Sequence, residues 1–135
     1  MRIVLDTNVL LVAISQQSKQ GWVFQRFLKE EYTLCVTTDI ILEYEEVLDR
    51  HMGRVAAGLA MGILVNAPNI KFITRYFEWN LITTDPDDNK FVDCAVAAGA
   101  KFIVSEDRHF RVLRDVIFPQ VEVKTIEEFK AEFAD

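Results

Sequence analysis

The sequence predicts an α/β fold: a single doubly wound, three-layer α/β/α domain with a central, mainly parallel sheet between two layers of helices. Three observations carry that expectation. Short β-branched runs alternate along the chain with segments of helical periodicity, the pattern that sets parallel strands between covering helices. The chain has 135 residues, enough for one core and too few for two. No internal repeat, linker or low-complexity tract interrupts it, and with 5 Gly and 3 Pro it has little of the composition of disorder. The predicted domain spans residues 1–135.

Arg2-Ile-Val-Leu-Asp6 reads as a buried parallel strand, because its apolar run does not alternate with polar residues. Thr7 is placed to cap the apolar helix Val9 to Ile14, and Trp22, Val23, Phe24 and Phe27 mark a second helix that ends at Leu28. Tyr32 to Val36 is a second strand, ended by Thr37-Thr38. A third helix begins near Thr38 and Asp39, with Ile40, Ile41, Tyr44, Val47 and Leu48 recurring at helical spacing. Gly53 separates it from a fourth helix that ends before Pro68, in which Gly58 and Gly62 are expected to mark close helix packing.

Asn69 to Thr74 reads as a third strand. Asp85 then suits an N-cap, Pro86 the first helical position, and Asp87 and Asp88 a first turn where the helix dipole favours acids. That helix runs to about Gly99 and is followed by the strand Phe102 to Ser105. A short helix from Asp107 to Phe110, a last strand at Val121–Val123 and a closing helix from Thr125 to Phe133 complete the chain. Thr125 and Glu128 have capping-box spacing.

Composition narrows the function. The net charge is −6, which argues against binding nucleic acid by bulk attraction unless carboxylates collect in one place and a cation neutralises them. Cys35 and Cys94 lie in apolar segments without a CxxC pair and read as buried, reduced thiols. The N-terminus lacks signal-peptide architecture, and the longest apolar stretch, Val55 to Val65, is too short to cross a bilayer. A cytoplasmic protein without membrane contact is the expectation.

In open parallel sheets, sites form outside the carboxyl ends of the strands. Asp6 ends the first strand, Glu43 lies in the second turn of the third helix, Asp88 opens its helix, and Asp107 follows the fourth strand. Asp6 and Asp107 have an ordinary reading as cap or turn residues. At 100° per residue Glu46 points away from the apolar stripe, while Glu43 and Glu45 flank its edges and the wheel does not choose between them. Asp88 is more telling, because it shares a face with Phe91, Val92, Ala95 and Gly99. A carboxylate aimed at a core costs several kcal/mol unless a cation or a donor pairs with it. Carboxylates without Cys/His ligand spacing suit hard ions, Mg²⁺ or Mn²⁺ rather than zinc. His51 and His109 read as surface or helix-end residues.

Leu5-Asp6-Thr7-Asn8-Val9, then Ile40-Ile-Leu-Glu43-Tyr-Glu-Glu-Val47, then Asp85-Pro-Asp-Asp88-Asn-Lys-Phe91, then Ile103-Val-Ser-Glu-Asp107 together resemble the PIN-domain family, and within it the VapC-related toxins of bacterial toxin–antitoxin systems. The resemblance covers essentially the whole chain. It implies a PIN-like fold and a metal-dependent endoribonuclease, with Asp6, Glu43, Asp88 and Asp107 as metal-binding and catalytic acids. It favours Glu43 over Glu45, and it gives Thr7, Asn8, Ser105 and Asp93 supporting positions around those acids. One or two divalent ions would lower the pKa of water and stabilise the charge of an in-line displacement at phosphorus.

The expected partners are an RNA substrate, a cognate antitoxin protein and a second copy of the chain, the last through apolar helices between Leu11 and Leu28 or Val55 and Val65. Lys90, Arg108, Arg111 and Arg114 fall near the active edge and are candidates to meet the RNA backbone, with Tyr44 or Phe110 as candidates for base stacking. The alternative is a catalytically silent PIN scaffold that binds protein or RNA, which the presence of all four acids disfavours. A haloacid-dehalogenase-like domain would need Asp where Asn8 stands. A nucleotide-cofactor fold would need a Gly-rich loop after the first strand.

Overall fold

In the computed structural model, which describes residues 1–15 and 18–134, strand β1 (Arg2–Leu5) holds the centre of the sheet. The sequence dictates this place: Ile3, Val4 and Leu5 are all buried, so both faces of the strand require cover. Strands β2 (Thr33–Val36) and β4 (Phe102–Val104) flank it, and β3 (Ile70–Phe72) and β5 (Val123–Lys124) form the edges. The order is β3-β2-β1-β4-β5 and every pairing is parallel, with Ile3 opposite both Leu34 and Phe102. The chain reverses direction across the sheet between β1 and β4, which opens a crevice beyond their carboxyl ends.

Helices α1 (Thr7–Ile14), α2 (Gly21–Leu28), α3 (Thr38–Met52), α4 (Arg54–Val65), α5 (Asn89–Ala98) and α6 (Ile126–Ala131) cover the sheet. Two 3-10 segments, Pro86–Asp88 and Arg108–Asp115, complete the fold. Helix α3 packs against α1 and α4, while α5 lies on β1, β2 and β4. Tyr44 joins these layers. It is fully buried in α3, and its hydroxyl donates to the carbonyl of Leu5 at the end of β1. Among the described residues no helix is long and apolar enough to cross a membrane.

Several boundaries depart from the sequence reading. Thr7 is the first helical residue of α1 and Asp6 holds the cap position, without a side-chain cap bond. Strand β3 is shorter than Asn69–Thr74, because β2 offers it only the three paired positions Leu34 to Val36, and the Asn69 side-chain amide donates to the carbonyls of Phe27 and Tyr32 just ahead of it. Strand β5 begins only at Val123, since β4 offers it two paired positions. Gly58 and Gly62 mark no close helix contact, for a Cβ at either would meet nothing within 4 Å. The capping box of Thr125 and Glu128 forms as expected. Tyr44 and Phe110 are core residues, 0% and 1% exposed, and are closed to base stacking.

Tyr44→Phe should lower unfolding stability by about 1–3 kcal/mol, because the Leu5 carbonyl is left without its donor. Denaturant titration reads this directly. An unchanged midpoint would mean that the layer contact is carried by packing alone.

Candidate functional site

The crevice beyond β1 and β4 is where the predicted acids meet. Asp6 follows β1 directly and is 5% exposed. Its carboxylate accepts a hydrogen bond from the Ser105 hydroxyl at 2.8 Å, and the same Ser105 oxygen accepts from the backbone N–H of Asp107 at 3.0 Å. One hydroxyl thus ties the end of β1 to the turn after β4. Asp107 caps the 3-10 helix behind it, accepting from the His109 N–H at 2.9 Å.

Glu43 enters from α3. Its carboxylate accepts from the Thr7 hydroxyl and pairs with the Lys90 ammonium at 2.6 Å. Lys90 is therefore engaged with Glu43, and it also donates to the Asp87 carbonyl at 2.8 Å. Asn8 is exposed one residue beyond Thr7, on the wall of a cleft of about 770 Å³ shared with Asp6 and Asp107. A second cleft, about 410 Å³, includes Glu43 and Lys90 in its wall.

Asp88 reaches the crevice from the 3-10 turn that starts α5 and is 8% exposed. Asp85 caps that turn, as the sequence suggested, accepting from the Asp87 N–H at 3.3 Å. His109 sits at a helix end and is partly exposed, as the sequence reading had it, but its part in the acid cluster was missed: Nδ1 lies 3.3 Å from Asp88, 3.2 Å from Asp107 and 3.6 Å from Asp85. The cause is the backbone: Arg108–Asp115 is 3-10 throughout, so Phe110 and Leu113 share a buried column and His109 falls beside the acids. The signal available in the sequence was its position two residues after Asp107, in the first turn of the helix that Asp107 caps.

Asp93 is set apart from this group. It is 2% exposed and accepts from the Trp79 N–H at 3.0 Å and from Arg75 at 3.4 Å, so it fastens the long segment between β3 and α5. Arg108, Arg111 and Arg114 are all exposed along the outer face of their 3-10 helix.

Crowding of like charges leaves its mark on the acids. Burial first, then the neighbouring Asp85, Asp6 and Asp107 carboxylates, push the Asp88 carboxyl up to about 6, against the pull of its His109 contact. Asp6 is also raised, chiefly by burial and further by Asp107 and Glu43, while the Ser105 hydrogen bond opposes the shift. One atom each from Asp85, Asp88 and His109 lie within 4.8 Å of one another. Such a set, two hard oxygens and one imidazole with Asp6 and Asp107 adjoining, fits a small divalent ion of the Mg²⁺ or Mn²⁺ kind. The tighter trio and the four acids of the sequence reading overlap at Asp88. We favour a site centred on Asp88, Asp6 and Asp107, because it is their mutual repulsion that a cation would relieve.

A protein-family model described as PIN domain matches residues 2–109. Among solved structures the chain is similar to VapBC2 from Rickettsia felis bound to a promoter DNA fragment, with TM-score 0.65 and 15% identity over 93% of this chain and 98% of that one. It is similar to VapC20 of Mycobacterium tuberculosis, a Sarcin-Ricin loop cleaving toxin, with TM-score 0.56 and 14% identity over 81% and 92% of the two chains. The DNA-bound VapBC of Salmonella typhimurium gives TM-score 0.59 and 12% identity over 93% and 98%. At these identities the likeness is one of fold. No curated protein sequence matches the chain.

The raised Asp88 carboxyl has a consequence for stability. Between its ordinary value of 3.8 and about 6 the folded chain holds a proton that the unfolded chain has lost. Metal-free protein should therefore lose stability as pH rises through that window. Asp88→Asn should flatten the dependence and raise the melting temperature near neutral pH. Thermal melts in chelator across pH test this, and a variant less stable than the parent at neutral pH would contradict it.

Proposed function

The chain belongs to the PIN-domain family, and from that premise we propose that it is a divalent-metal-dependent endoribonuclease, the toxin of a toxin–antitoxin pair. The observation that carries the proposal is the pairing of buried Asp6 with buried Asp88 beside Asp107. Like charges drawn from water at one sheet edge destabilise a fold unless a cation joins them.

Asp6, Asp88 and Asp107 would hold Mg²⁺ or Mn²⁺, with Glu43 at the border of the site and Asp85 and His109 as further donors. A bound ion would supply charge neutralisation and Lewis-acid stabilisation at the phosphate. The chain's own residues set the frame. Ser105 fixes the Asp6 carboxylate and the Asp107 backbone with one hydroxyl. Thr7 and Lys90 hold Glu43 at its two oxygens. Asn8 stands at the open wall, where a ribose or phosphate oxygen would pass. Arg108 and Arg111 are free of the core and would meet backbone phosphates, whereas Lys90 would act through Glu43.

VapBC complexes with this fold support an antitoxin partner, and a cytoplasmic setting goes with that role. Val55, Leu59 and Ile63 on α4 stand 79%, 68% and 50% exposed in one row and support the antitoxin or a second copy as their cover. The other stretch considered for self-association, Leu11 to Leu28, contains residues 16 and 17, which lie outside the described residues.

Metal-free protein given a mixed-sequence fluorogenic RNA should cleave when Mn²⁺ or Mg²⁺ is added and stop in EDTA, and Asp88→Asn should cut the rate by roughly a hundred-fold or more. Mn²⁺ should also raise the melting temperature of the parent and not of the variant. Absence of both cleavage and metal stabilisation would sink the reading. Arg111→Glu should raise KM several-fold with kcat nearly unchanged, an effect that shrinks as salt rises. A kcat loss with KM intact would remove Arg111 from substrate binding.

A further inference from the structure

Two surface features lie outside the acid cluster. The first is the column of arginines. In a 3-10 helix, side chains three apart eclipse and stand about 6 Å apart along the axis. Arg108, Arg111 and Arg114 therefore form one exposed column that begins next to Asp107 and His109, its last arginine in a shallow cleft with Glu122 and Glu128, and exposed Ile117 and Phe118 follow directly in the chain. A cationic row of that repeat suits the successive phosphates of an extended polynucleotide.

The second is a ledge of aromatic rings, one of which, Phe118, follows that helix in the chain. Phe118 meets Trp79 edge-on at 5.9 Å, and Trp79 lies tilted against Phe77 at 5.8 Å. Phe118 and Phe77, each against Trp79, are 79% and 70% exposed, a large apolar display. The ledge is mounted firmly, because the Trp79 N–H is bonded to buried Asp93 of α5. It also borders the second cleft, which Glu78 and Asn80, on either side of Trp79, line together with Glu43 and Lys90.

Building on the nuclease reading, we propose that Phe77, Trp79 and Phe118 form a nucleobase-stacking subsite, which takes unpaired bases of a single-stranded RNA whose phosphates run along Arg108, Arg111 and Arg114. Aromatic faces stack on any base, but only where its own face is uncovered, so the subsite selects single strands over duplex. The net charge of −6 offers no general attraction for RNA, and the affinity has to come from this local pairing of rings and guanidinium groups.

The test is fluorescence anisotropy of a labelled oligoadenylate with the full chain in chelator at low salt, where no cleavage occurs. The single strand should bind at least ten-fold more tightly than the same strand annealed to its complement. Phe118→Ala and Phe77→Ala should each weaken single-strand binding roughly 5- to 100-fold. Both rings are exposed, so melting temperatures should hold and exclude misfolding as the cause. Equal affinity for single strand and duplex, or unchanged affinity in both folded variants, overturns the proposal. So does a loss of self-association in Phe118→Ala with RNA affinity intact, which would give the ledge to a protein partner. Binding through the ledge without metal-dependent cleavage would uphold the subsite and refute the nuclease. Cleavage with KM unaltered by Phe118→Ala would do the reverse.

Discussion

Carboxylates repel one another, and a fold that gathers them where the sheet reverses direction must restrain them by other means. Asp6 and Asp88 are both buried, and both are pushed toward the protonated form by that burial and by their acidic neighbours. Everything around the crevice follows from this constraint. The Ser105 hydroxyl donates to Asp6, the Thr7 hydroxyl and Lys90 engage Glu43, and His109 offers its ring to three carboxylates. Each partner is neutral, titratable or only locally cationic. None neutralises the whole cluster, and a divalent ion is the simplest species that would.

The sheet supplies the positions and the helix starts supply the aim. β1 and β4 are adjacent and parallel, so the residues that follow them emerge side by side. The backbone of α5 is delivered to the same place by a 3-10 turn with Pro86 at its head, which aims Asp88 inward and leaves Asp87 in solvent. Tyr44 then fixes α3, and with it Glu43, against the last carbonyl of β1. Four sequence-distant acids are thereby held by three kinds of local geometry.

Sequence patterns disclosed the parts that rest on period and chemistry. The apolar runs of β1, β2 and β4 and the stripe of α3 carry strong signals, because burial on a strand or a helix face leaves a period. Asp88 stood out for the same reason, as an acid on an apolar face. The edge strands were less legible, since two or three paired residues leave little pattern. Gly58 and Gly62 misled because small residues fit either a packed face or an open one. His109 escaped because a lone histidine at a helix end carries no ligand spacing, and its three carboxylate neighbours come from two separate turns of the chain. The tie between Glu43 and Lys90 joins two helices and has no local signature at all.

Asn89 illustrates how the crevice is insulated from its surroundings. Its amide donates to the carbonyl of Ile82 at 2.8 Å and accepts from the Ile82 N–H at 2.9 Å, the same exchange a neighbouring strand would provide. One side chain thus imitates a piece of sheet, and the segment ahead of α5 is moored without a strand of its own. Between Arg75 and Ile82 the chain is consequently released from the alternation that a true edge strand would impose. It is held instead at points, by Arg75 and the Trp79 backbone N–H on Asp93 and by Ile82 on Asn89, so that side chains between those points can face outward without disturbing the backbone that carries Asp88.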